Sequence, residues 1–236
     1  KVVQTETLSE YEDISVKRSE EGNSSIVLDS YLARKGLQDI FVRINDAYIR
    51  CTDVEVQKQE GKAVINIEEL FEKYRTDELN LRIVSFCEEF EYKRCHDMNG
   101  LPYQSIELDD GDVYPDSLKI LVEDEINPDT FVEWKQVDTF YCSGETDPHY
   151  RYDENSAKII FGDCENGKAP EGRLIIIGYK RTKAEGGNVK SMQINLLTDG
   201  PDSLRLYNKD NAYGGREAES IDECFARFLR ESKTVK

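Results

Sequence analysis

Short runs of alternating apolar and polar residues, separated by turns, most restrict the fold of this chain. In residues 39–44 every second side chain is apolar, and the turn at Asn45-Asp46 leads into a second run over 47–51. Such pairs of short runs predict half-buried strands joined as hairpins. The run Arg173–Tyr179 is the most hydrophobic, which predicts a strand at the centre of a sheet. No apolar run approaches the roughly 20 residues that cross a bilayer as a helix.

Two segments instead carry helical signals. We predict a short helix near 67–75, capped by Asn66, with Leu70, Phe71 and Tyr74 forming its buried stripe. A second helix is predicted near 218–231. It begins with the capping-box pattern Ser220-Ile221-Asp222-Glu223, and helical spacing gathers its apolar residues into one stripe: Ile221, Cys224, Phe225, Phe228 and Leu229.

These patterns predict an α+β protein dominated by β-structure, with antiparallel, sandwich-like sheets and two helices. Residues 1–25 are polar and acidic and are predicted to be a tail or linker, with at most one strand at Ile14-Ser15-Val16. We place an N-terminal β-rich domain at 26–97 and a second β-rich domain with the terminal helix at 98–236. The first residue is not Met and the last helix lacks a stop signal. We therefore expect a segment excised from a longer protein. The alternative is that a tag was removed from the start of the chain and that the chain ends at its natural C-terminus.

The charge of the chain excludes several classes of function. It has 48 acidic and 31 basic residues, a formal net charge of −17. Nucleic-acid binding and docking on anionic lipid both need clustered Lys and Arg, so neither is expected. We interpret the excess of acidic residues as part of a solvated surface. The more specific alternative is that these residues dock a basic partner.

No candidate catalytic, cofactor or metal site emerges from the residue types that usually form one. The six cysteines show no C-x-x-C spacing and are expected to be free thiols of an intracellular protein. Cys142 and His149 could be written as a catalytic pair, but no third, orienting residue is recognisable. The loop Gly162–Gly167 resembles a phosphate cradle in glycine spacing alone, because Ala169 follows Lys168 and the loop carries Asp163 and Glu165. We predict a protein that is not an enzyme.

From residue 98 onward the chain resembles a known family, the baseplate J-like proteins. Its segments are similar to the family motifs and follow in the same order: Asn99-Gly100-Leu101-Pro102-Tyr103-Gln104, Leu118–Val122, Trp134–Asp138 with Ser143-Gly144, Pro148-His149-Tyr150, Phe161–Pro170, Tyr179 with Gly186–Val189, and Tyr213–Ser220. One departure is Cys164, which stands where the family has Gly. Gly162 and Gly167 are the kind of residue that permits turns with positive φ.

The resemblance implies a structural role. Baseplate J-like proteins are wedge components of contractile phage tails and related injection machines. This implies a virion or tail-like particle assembled in the bacterial host cytoplasm, with other wedge and hub subunits, or a ring of its own copies, as partners. The sequence does not distinguish between a phage, a bacteriocin-like particle and a secretion machine. The alternative function, suggested by the many tyrosines, is a carbohydrate- or receptor-binding β-module. A hydrolase is a third hypothesis.

Overall fold

A computed structural model of the chain describes residues 5–19, 24–59, 62–108, 113–114, 117–182, 184–195, 204–215 and 220–232. The chain divides into a main unit, residues 7–181, and a second unit, residues 1–6 and 182–236. Each unit is described by itself below.

The described residues form fourteen strands and three α-helices. The strands are β1 (Thr5–Lys17), β2 (Ser25–Leu28), β3 (Leu37–Ile44), β4 (Ala47–Cys51), β5 (Val56–Gln59), β6 (Lys62–Asn66), β7 (Glu78–Phe86), β8 (Cys95–Asn99), β9 (Ser105–Glu107), β10 (Lys119–Glu123), β11 (Thr130–Gln136), β12 (His149–Asp153), β13 (Lys158–Phe161) and β14 (Glu171–Thr182). The helices are α1 (Tyr31–Lys35), α2 (Glu68–Tyr74) and α3 (Ile221–Ser232). The predicted fold class, a β-dominated α+β protein with antiparallel sheets and a C-terminal helix, is therefore confirmed.

Strand pairing in the larger sheet closes on itself. The sheet runs in the order β10-β14-β1-β7-β3-β4-β11, and β10 also pairs with β11, so the described residues form a closed ring of seven strands. Strands β12, β13 and β9 continue the sheet from β11, and β8 pairs with β14. Because β14 pairs with β10, β1 and β8, and Leu174–Ile177 are buried, the prediction of a central strand at 173–179 is confirmed.

Two hydrophobic cores follow from the two faces of the strands. On β7, Leu81 and Ile83 join a core that includes the three-stranded sheet β2-β6-β5 and both α1 and α2. Val84 and Phe86 belong to the other core, which includes Phe41 and Phe131 inside the ring and extends to β12 and β13. The alternation along one strand thus separates the two cores.

Local capping explains where the helices begin and end. The Asn66 side chain accepts a hydrogen bond from the backbone N–H of Glu68 at 3.0 Å, and Arg75, with φ +50°, ends α2 in the left-handed region. At α3, Ser220 and Glu223 form the predicted reciprocal capping box. The helix near 67–75 is confirmed and the terminal helix begins at Ile221, while residues 218–219 lie outside those described. Helix α1, which has five residues capped by Ser30, was not predicted.

The tail or linker predicted at residues 1–25 is wrong. Residues 5–17 form β1, which pairs with β7 over nine residues and contains the one strand considered there, Ile14-Ser15-Val16. Its acidic side chains are tolerated because Asp13 pairs with a buried arginine and the others are partly or fully exposed. Between β7 and β8 the chain forms a 3₁₀ turn at Glu88–Phe90.

The predicted domain boundary at 97/98 lies within a strand of the large sheet. β8 runs through it and pairs with β14, and strands from either side of it pair with each other, as β4 does with β11. That the two parts form separate domains stays a prediction.

Candidate functional site

The conspicuous loops of residues 99–170 are joined by hydrogen bonds into one group in the main unit. Gln104 connects two of them, since its Nε2 donates to the carbonyl of Pro170 at 2.8 Å and its Oε1 accepts from the N–H of Asn99 at 3.0 Å. The N–H of Gly100 also donates to Pro170, and the N–H of Phe161 to the carbonyl of Gln104. These bonds give the segment Asn99–Gln104 a fixed base on the loop after Phe161.

The loop Gly162–Gly167 is held by a close backbone approach. A Cβ at Gly162 would lie 2.1 Å from the carbonyl oxygen of Gly167, so no larger residue fits there. Gly167 has φ +91°, as predicted. Gly162 does not have positive φ, so the prediction for that residue is wrong. Glycine is required at 162 because a side chain has no room there. Cys164 has φ +72°, a conformation that glycine adopts more easily than cysteine.

The same loop cannot use its backbone as a phosphate cradle. The Asp163 carboxylate accepts the N–H groups of Glu165 and Asn166, which lowers the pKa of Asp163. The N–H of Cys164 donates to Gly167, and that of Gly167 to Gly144. These N–H groups are therefore occupied within the protein, and two carboxylates stand beside them.

The structure pairs His149 with Ser143 through a hydrogen bond that the sequence did not suggest. His149 Nδ1 lies 2.8 Å from the Oγ of Ser143, a buried residue, whereas Cys142, the residue considered with His149, is exposed. Ser143 directly follows a 3₁₀ turn, Phe140–Cys142, which positions it toward His149 at the start of β12. The nearby N–H of Gly144 already donates to the Asp147 carboxylate at 2.8 Å, so it is not free to stabilise an oxyanion.

A buried arginine connects four strands inside the ring. Arg82, 5% exposed, forms two hydrogen bonds of 2.7 Å with Asp13 on β1 and one of 2.6 Å with Glu133 on β11. Its guanidinium also lies 4.4 Å from the ring centre of Tyr11 and 4.2 Å from that of Tyr48. Burial alone would lower the pKa of Arg82, but the bonds to Asp13 and Glu133 outweigh it and raise that pKa. Burial raises the pKa values of both tyrosines.

A second ion-pair group joins β10 to β14. Arg173 contacts both carboxylate oxygens of Glu123 at 2.7 and 3.0 Å and reaches Asp129 at 2.6 Å. The hydrogen bond from Arg173 lowers the pKa of Glu123 to about 2. Both arginine groups hold strands together, and neither was foreseen, because ionic partners 40 to 70 residues apart leave no local signal.

The second unit differs from the main unit in having no core among its described residues. None of residues 182–230 whose burial is described is buried. Large apolar side chains stand exposed along it: Met192, Leu204, Leu206, Tyr207, Tyr213, Ile221, Phe225, Phe228 and Leu229. Four of these form the apolar stripe of α3.

The charge of the chain is also divided unequally between the units. Residues 1–6 and 182–236 carry ten basic and ten acidic residues, so the whole net charge of −17 lies on the main unit. The second unit therefore carries no net charge.

Other kinds of site are not found in the part of the chain that the structure describes. No group of three or more His, Cys, Asp or Glu side chains there could hold a metal ion. No disulfide joins any of the six cysteines, all of which are described. Among the described helices, none has the length and apolar character needed to cross a membrane.

Comparison of the chain with protein-family models, with characterised proteins and with solved structures finds no match.

Proposed function

We propose that this chain is a structural wedge or assembly subunit of the baseplate of a contractile phage tail or tail-like injection machine. It works through contacts with other wedge and hub subunits and catalyses no reaction. The assignment to this kind of particle rests on the ordered motifs of residues 98–236. Gln104, Gly162 and Gly167 have structural contacts, which fits a role in maintaining the fold.

One observation carries the assembly role: the described part of the second unit exposes a series of large apolar side chains. Nine of them are exposed over residues 192–229, and four form a single stripe on α3. Contiguous apolar surface on a soluble protein marks a contact with another polypeptide. A helix with a complete N-terminal cap and an uncovered apolar stripe is suited to dock on a neighbouring subunit.

The proposal is tested by co-expressing the chain with each candidate neighbouring wedge subunit of the same particle. Size-exclusion chromatography with light scattering then measures the mass of any complex. We expect a stable hetero-complex that Phe225→Asp disrupts. Ala226→Asp is the matched control, because it adds the same charge to the same helix outside the apolar stripe.

Either of two outcomes would overturn the proposal. One is that no combination yields a complex. The other is that both variants bind like the parent protein, which would mean that the stripe is not the contact.

The alternative, a carbohydrate-binding module, is favoured only by the exposed tyrosines on the loops of the main unit, such as Tyr103 and Tyr141. A glycan array separates the two functions. Binding of a defined glycan that is lost in Tyr103→Ala and Tyr141→Ala, without any subunit complex, would replace the assembly role.

A further inference from the structure

The turn Leu101–Gln104 presents a tyrosine to solvent in an unfavourable backbone conformation. Tyr103 has φ +63° and its residue is 79% exposed. Pro102 stands at the second position of the turn and positive φ at the third, the pattern of a type II turn, where Gly or Asn is the usual residue. A bulky side chain at this position costs about 1 kcal/mol or more. Nothing in the fold requires tyrosine there, since its side chain is not part of a core.

The turn is rigid in spite of its exposure. Its ends are fixed by the bonds from Gln104 to Asn99 and Pro170, and the N–H of Leu101 donates to the Asn99 side chain at 3.0 Å. A rigid base presents Tyr103 without the loss of loop entropy that a flexible segment suffers on binding. Exposed tyrosines on rigid supports are typical anchors of protein–protein interfaces.

The loops bonded to this turn have an acidic character. Segments 140–148 and 162–170 carry Glu145, Asp147, Asp163 and Glu165, and their one basic residue, Lys168, forms an ion pair with Glu125 at 2.8 Å. The carboxylate of Glu171 would lie 3.0 Å from a Cβ on Gly100, beside the turn itself. Exposed Leu101 and Tyr141 belong to the same loop group. The hydrogen-bonded loops that carry these exposed apolar and aromatic side chains are therefore also rich in carboxylates.

We propose that Tyr103 is the anchor residue of an interface on the main unit and that its partner is a neighbouring subunit with a basic surface. This inference rests on the proposed function, because the partner is a subunit of the same particle, but it concerns a surface separate from the stripe of α3. In this inference the unfavourable backbone conformation of Tyr103 lowers the stability of the free chain and presents the side chain for binding. Stability and affinity therefore change in opposite directions when the residue is replaced.

The test uses the hetero-complex of the full chain and measures its dissociation constant and the unfolding midpoint of the free chain. Tyr103→Asn removes the aromatic ring and suits positive φ. We expect the affinity to fall by at least about tenfold while the unfolding midpoint rises or stays unchanged. The matched control is Tyr92→Asn, an 88% exposed tyrosine that does not have positive φ, which should change neither quantity.

The basic partner is tested by the salt dependence of the same complex. Raising the salt concentration should weaken it, and Glu171→Gln should reduce that dependence. A complex that forms but is unaffected by Tyr103→Asn would overturn this inference and leave the proposed function standing. Tight binding that does not depend on salt would overturn the inference that the partner has a basic surface. Failure to form any complex would overturn both this inference and the proposed function. Loss of glycan binding in Tyr103→Asn, with subunit affinity unchanged, would identify a sugar contact instead.

Discussion

At the scale of single residues, Arg82 is the side chain whose loss the ring should tolerate least. Its guanidinium is buried between two tyrosines and satisfies carboxylates on β1 and β11. Replacing it with Met would leave the partly exposed carboxylates of Asp13 and Glu133 without their cation. We expect Arg82→Met to lower the free energy of unfolding in urea by about 3 kcal/mol.

The matched control for this prediction is Arg43→Met. Arg43 is about half exposed, lies 5.8 Å from the ring centre of Tyr48, donates one hydrogen bond of 3.1 Å to the Asn45 carbonyl and forms a long ion pair of 3.8 Å with Asp46. A solvated arginine of this kind contributes less than about 1 kcal/mol. Equal losses of unfolding free energy in the two variants would show that burial within the ring does not increase the contribution of Arg82 to stability.

Glu123 should make the stability of the chain depend on pH. Arg173 lowers the pKa of this carboxyl from 4.5 to about 2 in the folded state. A lowered folded-state pKa gives stabilisation that is complete above the unfolded value and is lost as the pH falls from 4.5 toward 2. Glu123→Gln should therefore be less stable than the parent chain by about 2 kcal/mol at pH 7, a figure that allows for the partial exposure of Arg173.

Urea unfolding at pH 7, 5, 4 and 3 measures this difference directly. The gap between parent and variant should be constant from pH 7 to 5 and should narrow at pH 4 and again at pH 3. A gap that stays constant down to pH 3 would contradict a lowered pKa at Glu123.

At the scale of elements, the Gly162–Gly167 loop depends on a backbone contact that no side chain can enter. Gly162→Ala would place its Cβ 2.1 Å from the Gly167 carbonyl oxygen, so the loop must open. We expect a loss of about 3 kcal/mol in the free energy of unfolding. Gly186→Ala is the control, because a Cβ there meets nothing within 4 Å and the residue does not have positive φ. Thermal denaturation of the two variants should separate them, and similar midpoints would contradict the close approach.

Helix α3 should be much less protected against hydrogen exchange than β14. Its described residues 221–230 are all exposed, so it lacks the burial that stabilises β14, and its N-terminus is held by the capping box. Ser220→Ala removes the side-chain cap and should weaken the helix by about 1 kcal/mol, which increases exchange in 221–232 further. Binding of a neighbouring subunit should slow that exchange. Protection equal to that of β14 in the free chain would mean that another part of the protein already covers α3.

Elements with a local signal were predictable and the others were not. The capping box at Ser220 and the stripe of Leu70 and Phe71 identify α3 and α2 from a few neighbouring residues. Helix α1 has only five residues, too few for a helical period. Strand β1 resembles a tail because it is rich in acidic residues, one of which, Asp13, pairs with an arginine 69 positions away. The ring itself depends on pairings such as β14 with β1, for which no short segment contains a signal.

The candidate site shows the same limit. Sequence spacing considered His149 with Cys142, but the 3₁₀ turn places the next residue, Ser143, against the imidazole instead. At Pro102-Tyr103 the sequence does not suggest positive φ, because tyrosine is not the usual residue there, and the hydrogen bond that holds the end of the turn comes from Pro170, 66 residues beyond Gln104. Residue types locate the candidate surfaces, and long-range contacts determine what each can do.

At the scale of the whole molecule, the main unit should unfold as one cooperative body in spite of the domain boundary predicted at 97/98. The ring takes β1, β3, β4 and β7 from before that boundary and β10, β11 and β14 from after it, so neither part can close it alone. Hydrogen exchange with increasing urea, followed by mass spectrometry on the full chain, measures this. Peptides from β7 and from β13 should lose protection over the same urea range, in step with the fluorescence of Trp134, the only tryptophan. Earlier exposure of either side, with the other still protected, would mean that 26–97 and 98–181 fold separately and that the ring joins two finished domains.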